Sequence, residues 1–191
     1  MGVAHAAWVG KRWMSSSMRL LLLGESHYLT DLADDSTELT RQIITGVRDG
    51  TRRIRFYTRT EAVCVGVPFA ETDEPTSFWD RVAFSNFVPM TVGMASDAVP
   101  TAEMWRAGSE YFTRLLDELR PSHVLSLGQR QWNQIRLPAD WGSSTSREDP
   151  AVRLWNTPKG EHIRATWINH PSSRGFNAHQ WTPRVSALFA G

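Results

Sequence analysis

The sequence predicts a three-layer α/β/α domain built on a central, mainly parallel four-stranded sheet. An apolar run at 18–23 and short segments rich in apolar residues at 84–88, 123–127 and 163–168 end at Gly or at polar residues or Pro, as buried strands do. Segments with helical spacing fill the intervals, and alternation of strands with helices favours parallel pairing. Finally, 191 residues with 41% apolar content suit one domain with one sizeable core.

Residues 1–17 mix small residues with Trp8, Trp13 and three serines, and read as a loosely ordered lead-in. A single domain is expected over 18–191. The 18–23 run ends at Gly24. Residues 34–47 then show helical spacing through Leu39, Ile43 and Val47. Residues 51–60 alternate poorly, 61–67 reads as a short strand, and 68–76 as a loop rich in Pro and acids. A short helix over 78–83 feeds the strand at 84–88, which Pro89 ends because proline cannot donate to a ladder. Residues 101–119 form the best helix, with Trp105, Phe112, Leu115, Leu116 and Leu119 on one face and Pro121 closing it. After the strand at 123–127 comes a short helix holding Trp132 and Ile135. After the strand at 163–168 comes a last helix over about 178–190, with Pro183 expected in its first turn. No internal repeat is visible.

Composition narrows the chemistry. The single cysteine, Cys64, forbids an internal disulfide, a Cys-rich zinc site and a four-cysteine iron–sulfur cluster. The longest aliphatic run, Leu20 to Leu23, is far short of the ~20 residues of a membrane span. A soluble, cytoplasmic chain is the expectation. Of 21 cations 19 are Arg, which suits phosphate or base recognition and equally reflects a GC-rich genome. Residues 120–191 carry nine cations against four acids, so that end can face a polyanion. Most of the nine Trp belong in the core or at interfaces, and one or two exposed rings can stack on bases.

Three polar clusters directly follow or end three of these strands: Gly24-Glu25-Ser26-His27-Tyr28, Asn86 within 84–89, and Asn169-His170-Pro171-Ser172-Ser173-Arg174. Parallel strands place all three on one edge, where ligands of such sheets bind. Each cluster alone reads as loop residues capping helices; their convergence is what points to a site.

This trio resembles the uracil-DNA glycosylase superfamily. That family has a Gly-(Gln/Glu)-x-x-(Tyr/Gly) motif after its first strand, an Asn at the end of a middle strand, and a His-Pro-Ser loop after its last. The resemblance runs over residues 18–191 in order and implies a uracil-DNA glycosylase-like fold. It also implies an enzyme that flips a nucleotide out of DNA and hydrolyses the N-glycosidic bond, leaving an abasic site without metal or cofactor. By the same resemblance, His170 matches the donor to the departing base, and Asn86 the residue that reads the base edge. Tyr28 matches the residue against the C5 side of a pyrimidine, with His27 beside it in the base pocket. Ser172 and Ser173 match the phosphate-pinching loop, and Arg174 the wedge that fills the vacated stack. Ser26 stands where the best-known branch has its water-activating Asp. In iron–sulfur branches an acid occupies the position of Glu25, which makes Glu25 the candidate to orient water or steady the sugar cation, with Asp31 behind it.

Gln129 and Arg130 follow the third strand and are placed to hold a phosphate at a helix start. The excursion over 29–76, with Arg41, Arg48, Arg52, Arg53, Arg55 and Arg59, departs from compact members. It leaves the base open between uracil and a modified cytosine, the latter known to be attacked by phage-defence glycosylases of this superfamily. The expected partner is DNA, with the chain acting as a monomer away from membranes. A non-catalytic DNA- or base-binding module on the same fold is the main alternative, followed by hydrolysis of free nucleosides. A serine hydrolase lacks its Gly-x-Ser-x-Gly elbow, and a zinc deaminase its cysteine pair.

Overall fold

The computed structural model describes residues 4–29, 35–64, 77–94, 98–147 and 149–190. At its centre lie four parallel strands: β2 (Leu20–Gly24), β4 (Ala83–Asn86), β6 (His123–Ser126) and β9 (His162–Trp167). These correspond to the four strands expected from the sequence. The sheet is wider than expected, because antiparallel strands extend both edges. β1 (Trp8–Val9) pairs with β4, while β8 (Arg153–Asn156) joins β9 and carries β7 (Gly142–Thr145). The seven-stranded order is β1-β4-β2-β6-β9-β8-β7. A separate parallel pair joins β3 (His27–Tyr28) to β5 (Thr91–Gly93).

Burial explains the central strand. Leu20, Leu21, Leu22 and Leu23 are all fully buried, and alternation sends them to opposite faces. Leu20 and Leu22 pack in one cluster with Ile44 of α1 (Leu39–Arg48), Tyr57 of α2 (Arg55–Val63) and Val185 of α5 (Ala178–Phe189). Leu21 and Leu23 pack in the other with Phe112 and Leu116 of α3 (Ala102–Leu119) and with Trp132, which ends α4 (Gln129–Trp132). The result is a sheet between two helical layers. The side chain of Thr101 caps α3 by accepting from the Met104 N–H.

Several expectations need correction. Residues 4–17 are no loose lead-in: β1 is hydrogen-bonded to the sheet, and Trp13 is 1% exposed. The strand expected over 61–67 is, at residues 61–63, the end of α2, and residues 65–67 lie outside the described residues, as does the expected loop through residue 76. The helix expected from residue 34 begins at Leu39, and the short helix at 78–83 is a single 3-10 turn, Phe78–Asp80. Pro183 is the sixth residue of α5, beyond its first turn. Among the described residues no helix is long and apolar enough to cross a membrane, and no cluster of three His, Cys, Asp or Glu is placed to hold a metal.

Candidate active site

The three polar clusters meet at the carboxyl edge of β2, β4 and β9. Backbone bonds carry the ladders past the strand ends and fix these segments: Phe87 N–H donates to Gly24 O (2.9 Å), Val88 N–H to Glu25 O (2.9 Å) and Ile168 N–H to Ser126 O (3.0 Å). Between them lies a cleft of two adjoining lobes. One, of about 240 Å³, is walled by Ile43, Ile54, Phe56, Tyr57 and Phe84, with His27 and Asn86. The other, of about 340 Å³, is polar and lined by Gly128, Gln129, Arg130, Gln131 and Ser173. Glu25, Ser26, Tyr28, His170 and Ser172 border both lobes.

Glu25 is 7% exposed and held on two sides. Arg130 donates from Nε to Glu25 Oε2 (2.6 Å) and from Nη2 to Oε1, while the Tyr28 hydroxyl donates to Oε1 (3.2 Å). Oε1 therefore has both lone pairs occupied, and Oε2 keeps one free on this count. The sequence expectation put Arg130 on a phosphate at a helix start. Instead its guanidinium lies on Glu25, and α4 is a single turn of four residues.

Asn86 ends β4 opposite Gly24 of β2. It is 5% exposed, and its Nδ2 has no hydrogen-bond partner. A buried donor left unpaired costs about 1–3 kcal/mol, and an ordered water or a ligand acceptor in the cleft would satisfy it. Gly24 makes the arrangement possible: a Cβ there would stand 2.3 Å from Asn86 Oδ1 and 3.0 Å from Phe84 Cζ. Ser26 Oγ is also buried without a partner.

His170 is fixed by its own loop. The Ser172 N–H donates to His170 Nδ1 at 3.2 Å, so the neutral ring carries its proton on Nε2. The residue is open at the cleft mouth, yet neighbouring groups strip enough water to pull its pKa below the usual histidine value; the Glu25 carboxylate opposes this shift and Arg130 reinforces it. His170 therefore presents a neutral N–H donor at pH 7. The Phe56 ring lies 5.1 Å from it, tilted by 40°.

His27 lines the apolar lobe, but its Nε2 pairs with Thr40 Oγ1 at 2.8 Å and its ring meets His5 edge-on at 5.0 Å. Burial, with His5 beside it, pulls its pKa down to about 4 against the opposing pull of Asp35. Gln129 is exposed at the rim, and Arg174 is exposed and borders neither lobe. Asp31 lies outside the described residues.

Sequence reasoning missed two groups. Of the apolar walls, Ile43 comes from α1, whose helical spacing carries no sign of a site, and Ile54, Phe56 and Tyr57 from the start of α2, where alternation is poor. Arg59 of α2 donates from Nη1 to the carbonyls of Pro171 (2.8 Å) and Ser173 (3.3 Å), holding the loop that carries His170. An Arg inside an otherwise mixed helix gives no sequence signal for that role.

No protein-family model and no curated protein matches the chain.

Proposed function

We propose that the chain is a DNA glycosylase of the uracil-DNA glycosylase type, hydrolysing the N-glycosidic bond of a flipped pyrimidine nucleotide. One observation carries this reading: the unpartnered, buried Asn86 amide and the Nε2–H of His170 share a small cavity with aromatic walls. The apolar lobe falls below the roughly 300–1,000 Å³ of drug-sized ligand sites, a scale suited to a single-ring base. Phe56, partly buried beside His170, offers it a stacking face, and Asn86 offers its edge a donor.

In the reaction the bond from C1′ to the base nitrogen breaks and its electron pair leaves with the base. Charge builds on the pyrimidine ring oxygen, where a neutral His170 N–H stabilises the transition state more than the ground state. Water then adds to the sugar cation and loses a proton, and the free lone pair of Glu25 Oε2 is the acceptor best placed to orient it. Ser172 and Ser173 belong to the backbone-gripping loop, and Arg174, exposed beyond them, is the side chain available to fill the stack. The two lobes join at Glu25, Tyr28 and His170, so a base in the apolar lobe can extend a substituent into the polar one. That favours a modified cytosine over uracil.

One observation favours the alternative of a non-catalytic base-binding module: Ser26 and an arginine-neutralised Glu25 leave no unpaired acid at the first motif. Mass spectrometry of bases released from uracil-containing and phage-modified DNA decides between them. A released pyrimidine with an abasic product supports hydrolysis, whereas tight binding without release leaves the binding module, and release of purines alone overturns the base assignment.

A further inference from the structure

A second groove, of about 620 Å³, shares no lining residue with either lobe of the cleft. It is lined by Trp105, Arg106, Ser109, Glu110, Gln134 and Arg136. Both of its walls are attached to the cleft. On one side, Gly108 lets α3 press onto the corner that follows Asn86: a Cβ there would stand 2.8 Å from the Phe87 carbonyl oxygen. Trp105 packs on the Phe87 ring at 5.9 Å. On the other side, Gln134 and Arg136 continue the turn of α4, whose Arg130 and Gln131 line the polar lobe. Gln131 and Gln134 are separated by three residues, roughly 5 Å along a helical turn. Ser109 Oγ donates to the Gln134 carbonyl at 3.4 Å and ties the two walls together.

The lining has a definite chemistry. Trp105 is half-buried and supplies an aromatic surface, and Arg106 is exposed. Arg136 uses Nη1 on the carbonyls of Asn133 (2.7 Å) and Ile135 (2.9 Å), which fixes the guanidinium and leaves its other N–H groups for a ligand. The lining carries two guanidiniums against the one carboxylate of Glu110. An aromatic platform flanked by two cations, one of them held in place, is what a nucleic-acid strand needs: a base stacks and its phosphates are neutralised.

We propose that this groove receives the DNA strand continuing from the extruded nucleotide, with a neighbouring base against Trp105 and phosphates on Arg106 and Arg136. The inference rests on the glycosylase reading of the cleft. The test uses fluorescein-labelled single-stranded oligodeoxynucleotides holding one tetrahydrofuran abasic analogue, extended by two or by six nucleotides on either side, with binding read by anisotropy. The wild-type chain should bind more tightly when the strand is lengthened on one side only, by roughly 5- to 100-fold, the scale of one stacked base. Arg106→Ala/Arg136→Ala should abolish that gain while binding the short oligonucleotide as wild type does, and should reduce the salt slope on the long one by about two. Arg106→Glu alone reads the same gain if the double variant does not fold. Equal affinity of wild type for short and long strands, or a gain that survives these substitutions, overturns the groove assignment while leaving the cleft reading intact. A wild-type chain that binds none of the oligonucleotides and releases no base overturns both.

Discussion

Arg130 and Glu25, 105 residues apart, form a two-point ion pair across the mouth of the cleft, and the arginine side chain is still half exposed. A buried carboxylate held by a solvent-reachable guanidinium is a pair that an incoming phosphate can compete for. The arginine holds the orientation of Glu25 and offsets its charge; on the proposed reading, a substrate phosphate that draws Arg130 away would free the carboxylate.

Removing either partner should therefore have separable effects. Glu25→Gln keeps the shape and loses the charge, so single-turnover base release should slow far more than oligonucleotide binding. Arg130→Ala leaves Glu25 buried beside Tyr28 alone and should lower stability by roughly 1–3 kcal/mol, the scale of losing hydrogen bonds to a charged group. The double change to Gln at both positions should recover part of that loss in urea denaturation. Wild-type release rates in Glu25→Gln would pass the role to another acid, with Asp31 next.

His170→Ala should reduce single-turnover release by about 10²–10³ with nearly unchanged affinity, as losing one donor to a developing anion does. The pH profile gives a second reading. Protonation puts a hydrogen on Nδ1, which then opposes the Ser172 N–H, and because the His170 pKa is lowered this happens only below its ordinary value of 6.5. Release should be flat above that pH and fall below it, in wild type but not in His170→Ala.

Asn86 and Gly24 make a paired prediction. Asn86→Ala removes the unpartnered amide and should weaken base release without destabilising the fold, because no native hydrogen bond of Nδ2 is lost. Gly24→Ala should have a similar functional effect by a different route, since its Cβ would collide with Asn86 Oδ1. Full activity in Gly24→Ala would show that the Asn86 position is not critical.

The four parallel strands were legible because each is a short segment rich in apolar residues and stopped by Gly, Pro or a polar cluster; β2, β4 and β6 are buried along their whole length, and β9 at Ile163, Ala165 and Thr166. The edges were not. β7 is fully exposed and reads Gly-Ser-Ser-Thr, which carries no apolar pattern, and β1 spans two residues. The start of α2 was hidden because Ile54 and Phe56 alternate with arginines, a strand-like period, just where the helix begins. At the site, Glu25, Asn86 and His170 were legible because each sits where a buried strand stops. The Arg130–Glu25 pair and the Arg59 brace were not, because a long cation gives no sign in sequence of which distant group it will reach.

Arg59 should act only through the loop it holds. Arg59→Ala removes both carbonyl contacts and should lower base release more than Arg59→Lys, which can still reach one carbonyl. Both should bind oligonucleotide with near-wild-type salt slope. A slope reduced by about one would make Arg59 a phosphate contact instead.

Acid should destabilise the fold through two histidines far apart in it. Burial with His5 alongside takes His27 to about 4, with Asp35 opposing, and burial with Arg164 nearby takes His123 to about 4. Both are neutral in the folded chain, while the unfolded chain protonates them near 6.5. Between those values the unfolded state holds more protons, so stability falls as pH drops from 6.5 towards 4 and levels off below. Each ring contributes roughly 3 kcal/mol over that interval at 1.36 kcal/mol per pH unit. His123 opens β6, at the opposite end of that strand from the carboxyl edge where the cleft lies, and is stacked on Phe189 of α5 at 4.6 Å. His123→Phe should keep that stacking, reduce the fall of the urea-denaturation midpoint between pH 6.5 and 4 by about half, the rest being due to His27, and leave the pH dependence of base release as in wild type. A midpoint that falls as steeply in His123→Phe as in wild type would show that its ring is not held neutral.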